Sequence, residues 1–406
     1  MKLQEYTISK DNFEECMKCT VCTAYCPVLQ VNPLYPGPKQ AGPDGERLRL
    51  KDPYFFNYAL KYCMNCKRCE VACPSGVKVA DLIQGARIKY DHSAPKLRDQ
   101  ILASTDFMGT LARPFAPIVN GVTGLGITKT VLDATLKIDH RRTFPKYSGR
   151  SFESWLKKRS VEKAQAAFQE QVAYYHGCYV NYNYPQLGKD LVKVLNALGV
   201  GVQLLEKEKC CGIAMITNGM SAKAAKNAAH NVEVLGKAVE KGLKVVTTSS
   251  TCTLTIRDEY PNLLGTDNSG IRDSLMMATR FIYEKLEKGA TLKFKADYHL
   301  KVAYHTPCHM EKLGWGVFSE RLLSMIPGVE FTLLDSACCG IAGTYGFKKE
   351  NYNQSQAIGT ALFDQIKTVN PDVVACDCET CKWQIEMSTG YKVMNPISIL
   401  AEALDI

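Results

Sequence analysis

Two short cysteine-rich segments constrain this 406-residue chain more than any other feature of its sequence. Each has the spacing C-x2-C-x2-C-x3-C followed at once by proline. The first run is Cys16, Cys19, Cys22 and Cys26, and the second run is Cys63, Cys66, Cys69 and Cys73. The two-residue gaps let a tight loop place three thiolates around one corner of a metal group, and the proline fixes the chain direction after the last ligand.

This spacing is typical of bacterial two-cluster ferredoxins, in which three cysteines of a run bind one iron–sulfur cluster and the fourth binds the other. It predicts two 4Fe-4S clusters with crossed ligand sets. We expect one cluster on Cys16, Cys19, Cys22 and Cys73, and the other on Cys63, Cys66, Cys69 and Cys26. Zinc is a poor alternative because neither run has a histidine at ligand spacing, and thiolates select soft metals.

The segment between the two runs contains four prolines, Pro33, Pro36, Pro38 and Pro43. Because proline lacks an amide proton and blocks regular helix, we expect an irregular segment there. The residues from Arg47 to Tyr62 favour a helix that leads into the second run.

The whole chain has 18 cysteines, and its start lacks the features of a secretory signal. We therefore expect a reducing compartment, where clustered cysteines are metal ligands rather than disulfides. No apolar run reaches the ~18 residues that suggest a membrane-spanning helix.

Much of the net charge of +9 lies in one basic strip, Lys137, Arg141, Arg142, Lys146, Arg150, Lys157, Lys158, Arg159 and Lys163. Such a strip suits an anionic lipid surface or an acidic partner, but it could equally be a solvated connector.

The C-terminal part of the chain is an internal repeat, because each cysteine landmark of one copy recurs about 129 positions later. Short apolar runs alternate with longer helical patterns in each copy, which predicts parallel β-α-β units. The cysteines follow the predicted strands, at the sheet edge where open α/β sheets bind cofactors. The glycine after each Cys-Cys pair, Gly212 and Gly340, allows a tight turn there.

The repeated pattern of one cysteine, then Cys-Cys-Gly, then C-x-x-C resembles the CCG domain of heterodisulfide reductase subunits, succinate:quinone reductase anchors and glycolate oxidase iron–sulfur subunits. That resemblance implies that a complete five-cysteine set can hold a non-cubane four-iron cluster. The second copy has all five, Cys308, Cys338, Cys339, Cys378 and Cys381. The first copy has Ser249 at one of these positions. Its remaining cysteines could hold a cluster, a zinc ion or no metal: Cys178, Cys210, Cys211 and Cys252.

Three histidines, His176, His305 and His309, lie beside these cysteines in the sequence. They could relay protons or donate hydrogen bonds to the metal ligands, but simple hydrogen bonding within the loops is the favoured interpretation. Cys376 lies outside the repeated spacing and is expected to be a buried thiol on a strand.

The predicted fold is α+β, with four segments. We expect a helix-rich ferredoxin-like domain with two clusters over 1–95, an amphipathic and basic connector over 96–168, and two tandem α/β repeats with parallel sheets over 169–298 and 299–406. In the connector, Pro114, Pro117 and several glycines break the helical pattern into short amphipathic pieces. Those pieces suit a bilayer surface about as well as packing on a domain or partner.

Taken whole, the chain resembles the family of C subunits of anaerobic glycerol-3-phosphate dehydrogenases over essentially all of its length. The stretches that carry this resemblance are CTVCTAYCP, YPGPKQAGPDGERLRLKD, HGCYVNYNYPQLGKDL and CCGIAGTYGFKKEN. The resemblance implies that electrons come from the flavin-containing catalytic A and B subunits and go to membrane menaquinone. It also implies peripheral attachment at the cytoplasmic face of the inner membrane, without a transmembrane helix.

The absent motifs agree with an electron-transfer role. The sequence has no dinucleotide-binding G-x-G-x-x-G after a strand and no phosphate-binding loop, so we expect the flavin on another polypeptide. No nucleic acid is expected as a partner. Two other hypotheses remain open: an iron–sulfur protein of the heterodisulfide reductase or glycolate/lactate oxidase type with its own disulfide or quinone reductase site, and a zinc-stabilised scaffold.

Overall fold

Two parallel sheets form the body of the chain, which is described for residues 13–53, 55 and 58–406 in a computed structural model. The first sheet contains β1 (Glu170–Tyr174), β2 (Val200–Leu204), β3 (Lys244–Thr247) and β4 (Leu275–Met277). The second contains β5 (Leu300–Tyr304), β6 (Val329–Leu333), β7 (Val373–Ala375) and β8 (Val393–Met394). The strand orders are β2-β1-β3-β4 and β6-β5-β7-β8, so the second sheet repeats the topology of the first.

The register of the sheets repeats as well. In β1, Val172 pairs with Val202 of β2 and with Lys244 of β3. In β5, Val302 pairs with Phe331 of β6 and with Val373 of β7. Every pairing is parallel, so the carboxyl ends of all four strands in each sheet meet at one edge.

Helices cover the sheets as parallel strands require. In the first repeat they span Gly177–Tyr182, Pro185–Ala197, Ile213–Thr217, Ser221–Val239, Ser250–Leu254, Tyr260–Leu264, Ser269–Arg272 and Ala278–Glu287. In the second they span Cys308–Leu313, Gly316–Ser324, Tyr352–Val369, Glu379–Thr389 and Pro396–Ala403. One apolar core runs through both repeats, and helix Pro185–Ala197 packs on helix Pro396–Ala403.

The N-terminal segment is rich in short helices. They span Val21–Ala24, Gly45–Lys51, Arg68–Val71 and Val79–Tyr90, with a π-helical turn at Gln40–Asp44 and a 3-10 turn at Tyr58–Tyr62. Its apolar core includes Cys338 and Ile358 of the second repeat. The ferredoxin-like segment therefore packs directly against that repeat.

Two predictions for this segment are wrong. The expected helix from Arg47 to Tyr62 ends at Lys51, because Asp52 precedes Pro53 and is extended. The proline-rich stretch is not wholly irregular either, since Pro43 lies inside the helical turn at Gln40–Asp44. The buried guanidinium of Arg49 donates to the carbonyl oxygens of Ala41 and Gly42, and this stabilises the turn despite the proline.

The connector forms short helices, as its sequence pattern predicts. They span Leu97–Ala103, Thr105–Ala112, Ala116–Gly124, Gly126–Leu136, Phe152–Leu156 and Arg159–Ala166. Among the described residues, none of the helices combines the length and apolar character needed to cross a bilayer. The helix-rich N-terminal part and the two parallel-sheet repeats confirm the predicted α+β class.

Candidate metal centres

The eight cysteines of the N-terminal runs lie in two separate cages. Cys16, Cys19, Cys22 and Cys73 line one small cavity, and Cys26, Cys63, Cys66 and Cys69 line another. Each cavity thus collects the four cysteines that the spacing predicts as one ligand set, three from one run and the last cysteine of the other. Each cage offers four sulfur donors, which is the donor set that a 4Fe-4S cluster takes.

Left-handed backbone at matching positions shapes both cages. Lys18 and Thr20 in the first run have φ of 59° and 64°, and Asn65 and Lys67 in the second have φ of 55° and 62°. Non-glycine residues adopt this conformation at an energetic cost, and they do so mostly at functional sites. Here it bends each loop so that three cysteines face one point.

The thiols of the second cage are hard to ionise in the protein alone. Burial, followed by the neighbouring thiol of Cys66, raises the pKa of Cys26 to about 12. Burial raises the pKa of Cys66 to about 11. Because bound iron would favour the thiolate form, these residues fit a metal group better than they fit an empty cage.

One larger cavity, of about 560 Å³, joins the remaining cysteine sites. Its lining is mostly apolar and includes all nine cysteines that the sequence assigns to the repeats, together with Cys66 of the second cage: Cys178, Cys210, Cys211, Cys252, Cys308, Cys338, Cys339, Cys378 and Cys381. The two repeat sites and the second cage therefore meet around one space.

The five predicted ligands of the second repeat lie close together. The Sγ atoms of Cys339 and Cys381 are 3.2 Å apart, and the amide of Gly340 donates to Cys338 Sγ at 3.4 Å. Burial, followed by the thiol of Cys66, raises the pKa of Cys308. Cys308 and Cys338 both line the large cavity together with Cys66, so the second cage and the second repeat come near one another there.

The first repeat brings four thiols together without the fifth ligand. Hydrogen bonds from the thiols of Cys178 and Cys211 lower the pKa of Cys210. Ser249, which stands at the position of the missing cysteine, points instead to the second repeat, where its hydroxyl donates to Glu379 Oε2 at 3.0 Å. The four sulfurs suit a cluster or a zinc ion, and the Ser249 hydroxyl also accepts a hydrogen bond from the Cys252 amide at 3.3 Å.

Two of the three histidines hydrogen-bond the loops around them. His176 Nδ1 lies 3.0 Å from the carbonyl oxygen of Gly177 and 2.9 Å from Glu208 Oε1. His309 Nε2 donates to the carbonyl oxygen of Asn65 at 3.1 Å, and its Nδ1 lies 3.2 Å from the hydroxyl of Thr251. His309 therefore ties the second repeat to both the first repeat and the second cage. The Nε2 of His305 is buried without any hydrogen-bond partner.

Helices of the connector form the apolar side of the large cavity. Five apolar side chains of the connector line it. They are Met108 and Leu111 of helix Thr105–Ala112, Phe115 just after that helix, and Leu132 and Leu136 of helix Gly126–Leu136. The carboxylate of Asp106 accepts a hydrogen bond from the Cys210 amide at 2.7 Å, which fixes this region on the first repeat.

The basic strip is less uniform than its sequence indicates. Arg142 is fully buried, donates to Gln384 Oε1 at 2.6 Å and stacks on Phe347. The prediction that Arg142 belongs to a surface strip is therefore wrong, because its guanidinium is buried in contacts between the connector and the second repeat. The other basic residues of the strip are exposed.

A buried charge cluster surrounds Lys67, between Cys66 and Cys69. Its ammonium contacts Asp81 and lies 3.3 Å from Glu259 of the first repeat. Glu70, also in the second run, pairs with Lys312 of the second repeat at 2.8 Å. These pairs hold the second cage against both repeats.

Family models match the segments that carry these sites. A 4Fe-4S dicluster domain matches residues 12–77, and a cysteine-rich domain matches residues 172–257 and 302–386. The chain is 61% identical over 394 residues to the C subunit of the anaerobic glycerol-3-phosphate dehydrogenase of Escherichia coli (strain K12), covering 97% of this chain and 99% of the relative. The chain belongs to the family of anaerobic glycerol-3-phosphate dehydrogenase C subunits.

More distant relatives match nearly the whole chain in sequence. The B subunit of the fumarate reductase (CoM/CoB) of Methanothermobacter marburgensis is 24% identical, over 98% of this chain and 74% of the relative. The glycolate oxidase iron–sulfur subunit of Escherichia coli (strain K12) is 23% identical, over 96% and 94%. As a member of the C-subunit family with dicluster and cysteine-rich domains, the chain is an iron–sulfur protein, and its family membership implies a role in electron transfer.

Sequence reasoning missed three parts of this site. It did not place the connector helices on the cavity, the carboxylate of Glu379 beside Ser249, or Cys376 beside Cys381. Only Cys376 gave a usable signal, since it follows a strand at the same edge as the predicted ligands. The other two depend on packing between segments that are far apart in the sequence.

Proposed function

We propose that the chain carries electrons from flavin-containing catalytic subunits of an anaerobic glycerol-3-phosphate dehydrogenase to a membrane quinone such as menaquinone. The observation that supports this most is the single apolar cavity that Cys66 and both sets of repeat cysteines line. The metal groups proposed on these cysteines would take up the cysteine-lined part of the cavity, which leaves its connector side for an organic acceptor. Its apolar connector side suits a lipid-soluble acceptor.

The proposed metal content follows from the donor sets. The two N-terminal cages would each hold a 4Fe-4S cluster, and the five cysteines of the second repeat would hold a non-cubane four-iron cluster. The four cysteines of the first repeat would hold a further cluster or zinc. Bound iron–sulfur groups would supply single-electron carriers at these places, while the protein fixes their spacing and excludes water.

The positions of the cysteine sets suit a series of electron carriers. The first cage lies apart from the large cavity, whereas Cys66 of the second cage lines it together with Cys308. We infer that electrons enter through the N-terminal cages and leave through the second repeat. The acceptor would bind between the two repeats.

The connector is proposed to hold the chain on an anionic lipid surface at the cytoplasmic face of the inner membrane. Several large apolar side chains of the connector are exposed and lie outside the cavity lining: Phe107, Ile118, Val122, Leu125, Ile127 and Val131. Exposed lysines and arginines follow in the sequence from Lys137. An apolar helical face next to basic residues is typical of proteins that lie in the membrane interface.

The test uses the assembled dehydrogenase and glycerol 3-phosphate as the electron donor. Reduction of a menaquinone analogue is compared with reduction of a soluble dye that takes electrons at the flavin. We expect Cys339→Ser to lower quinone reduction at least tenfold and to leave dye reduction unchanged. Unchanged quinone reduction in Cys339→Ser would refute the proposed route.

A further inference from the structure

Cys376 and His305 lie beside the five predicted ligands of the second repeat, although the repeated spacing does not include them. His305 follows β5, and Cys376 follows β7. One ligand atom from each of His305, Cys376 and Cys381 lies within 4.8 Å of the other two, and all three residues are buried. Ligand atoms around one tetrahedral ion lie roughly 3–4 Å apart, so this spacing is close to that of a metal site.

The imidazole of His305 needs a partner that the protein does not supply. Its side chain is buried, at 2% exposure, and its Nε2 has no hydrogen-bond partner. A buried polar atom without a partner costs about 1–3 kcal/mol. This imidazole belongs to the group of side chains that surrounds Cys381 Sγ. A metal ion held by Cys381 would give it a partner.

The first repeat lacks this arrangement. Tyr175 stands at the position of His305, and its hydroxyl donates to the carbonyl oxygen of Lys209 at 2.7 Å. Thr247 stands at the position of Cys376, and its hydroxyl donates to the carbonyl oxygen of Ser249 at 3.1 Å. Both hydroxyls of the first repeat thus have local partners. Cys376 makes a contact that matches that of Thr247, from its Sγ to the carbonyl oxygen of Cys378 at 3.7 Å, whereas His305 Nε2 has no partner. Only the second repeat has a histidine and a cysteine, His305 and Cys376, at these two positions.

We propose that Cys376 and His305 belong to the metal centre of the second repeat and would supply it with two further ligands, a thiolate and an imidazole nitrogen. This inference rests on the proposed iron–sulfur group in that repeat. Thiolate and imidazole are both ligands that iron accepts in such groups, and histidine ligation raises the reduction potential relative to cysteine alone. The second repeat would thereby be the better electron acceptor of the two.

The test is pulsed paramagnetic resonance on the full-length chain reconstituted with iron and sulfide. The part of the spectrum that Cys339→Ser removes reports the second repeat. We expect a histidine nitrogen coupling in that part, which changes when all histidines carry the nitrogen-15 isotope. The labelling needs no substitution and so does not depend on the folding of a variant.

Two variants assign the coupling and the thiol. We expect His305→Gln to lose the nitrogen coupling and the matched control His309→Gln to retain it, since His309 is also buried but lines the large cavity, which His305 does not. Cys376→Ser is expected to lower the midpoint potential of the centre or change its spectrum. The proposal is overturned if the coupling is absent, if it survives in His305→Gln, or if Cys376→Ser matches the parent in both readouts.

The same samples separate this inference from the proposed function. If Cys339→Ser changes the iron content and the spectrum but no histidine coupling exists, only the role of His305 and Cys376 fails. If Cys339→Ser changes neither, the second repeat holds no iron–sulfur group, and both proposals fail together.

Discussion

Backbone conformation at single residues determines where the cysteine sulfurs point. Gly340 follows the Cys338–Cys339 pair with φ +86°, and a Cβ there would lie 2.0 Å from the carbonyl oxygen of Ser355. Gly212 is its counterpart in the first repeat, with φ +91°, but the nearest atom to a Cβ there is 3.3 Å away. In the second repeat, both the left-handed backbone and the lack of space for a Cβ require glycine. In the first repeat, only the left-handed backbone does.

This difference predicts unequal costs of the same substitution. We expect Gly212→Ala to lower the free energy of unfolding by about 1–2 kcal/mol, because of its left-handed conformation alone. Gly340→Ala should cost roughly 3–5 kcal/mol, since the clash with Ser355 adds to that strain. Urea unfolding followed by circular dichroism measures both variants. Equal losses would show that the close approach to Ser355 has no effect.

The spacing predicts two crossed sets of cysteines, and the structure places each set around one cavity. The spacing could not predict the surroundings of Ser249 and His305. The crossed cages follow from two copies of one motif, whose geometry is local. Ser249 bonds to Glu379, 130 positions away, and the missing partner of His305 depends on how β5 and β7 pack. Such contacts between distant segments have no periodic pattern in the sequence.

At the scale of elements, the connector has two faces with different surroundings. Leu132 and Leu136 of helix Gly126–Leu136 line the large cavity, whereas Ile127 and Val131 of the same helix are exposed. The sequence predicted short amphipathic helices but left open whether they pack on the protein or on lipid. In the structure, one face packs on the protein and the other is exposed.

The exposed face can be tested with lipid vesicles. Ile127 is 74% exposed, so Ile127→Asp should fold normally and weaken flotation of the full-length chain with anionic vesicles at least fivefold. The matched control is Ile406→Asp, at a side chain that is 69% exposed and lies outside the connector. Equal flotation of the two variants would contradict lipid attachment through the connector.

At the scale of the whole molecule, buried charges join the ferredoxin-like segment to both repeats. Lys67 contacts Asp81 and Glu259, while Arg68 reaches Glu311 of the second repeat at 3.2 Å. The Lys67 ammonium is almost fully buried among carboxylates, which together raise its pKa well above the usual value although burial opposes this. These contacts set how close Cys66 comes to Cys308.

Removing the charge of Lys67 should loosen this junction. Because Lys67→Met leaves Asp81 and Glu259 buried without their cation, we expect a loss of about 3–5 kcal/mol in the free energy of unfolding. Lys237→Met is the control, since the Lys237–Glu233 pair is exposed and solvent screens its attraction, so its loss should change stability little. Urea unfolding compares the two. Similar small losses would show that the Lys67 cluster does not hold the segments together.

The most direct test of the electron-transfer account is paramagnetic resonance of the assembled dehydrogenase, frozen after glycerol 3-phosphate is added without oxygen. Reduced iron–sulfur signals from this chain should appear, and the signal of the second repeat should be missing in Cys339→Ser. If substrate reduces the flavin but no iron–sulfur signal of this chain appears, or if the chain contains zinc and little iron, the account is contradicted.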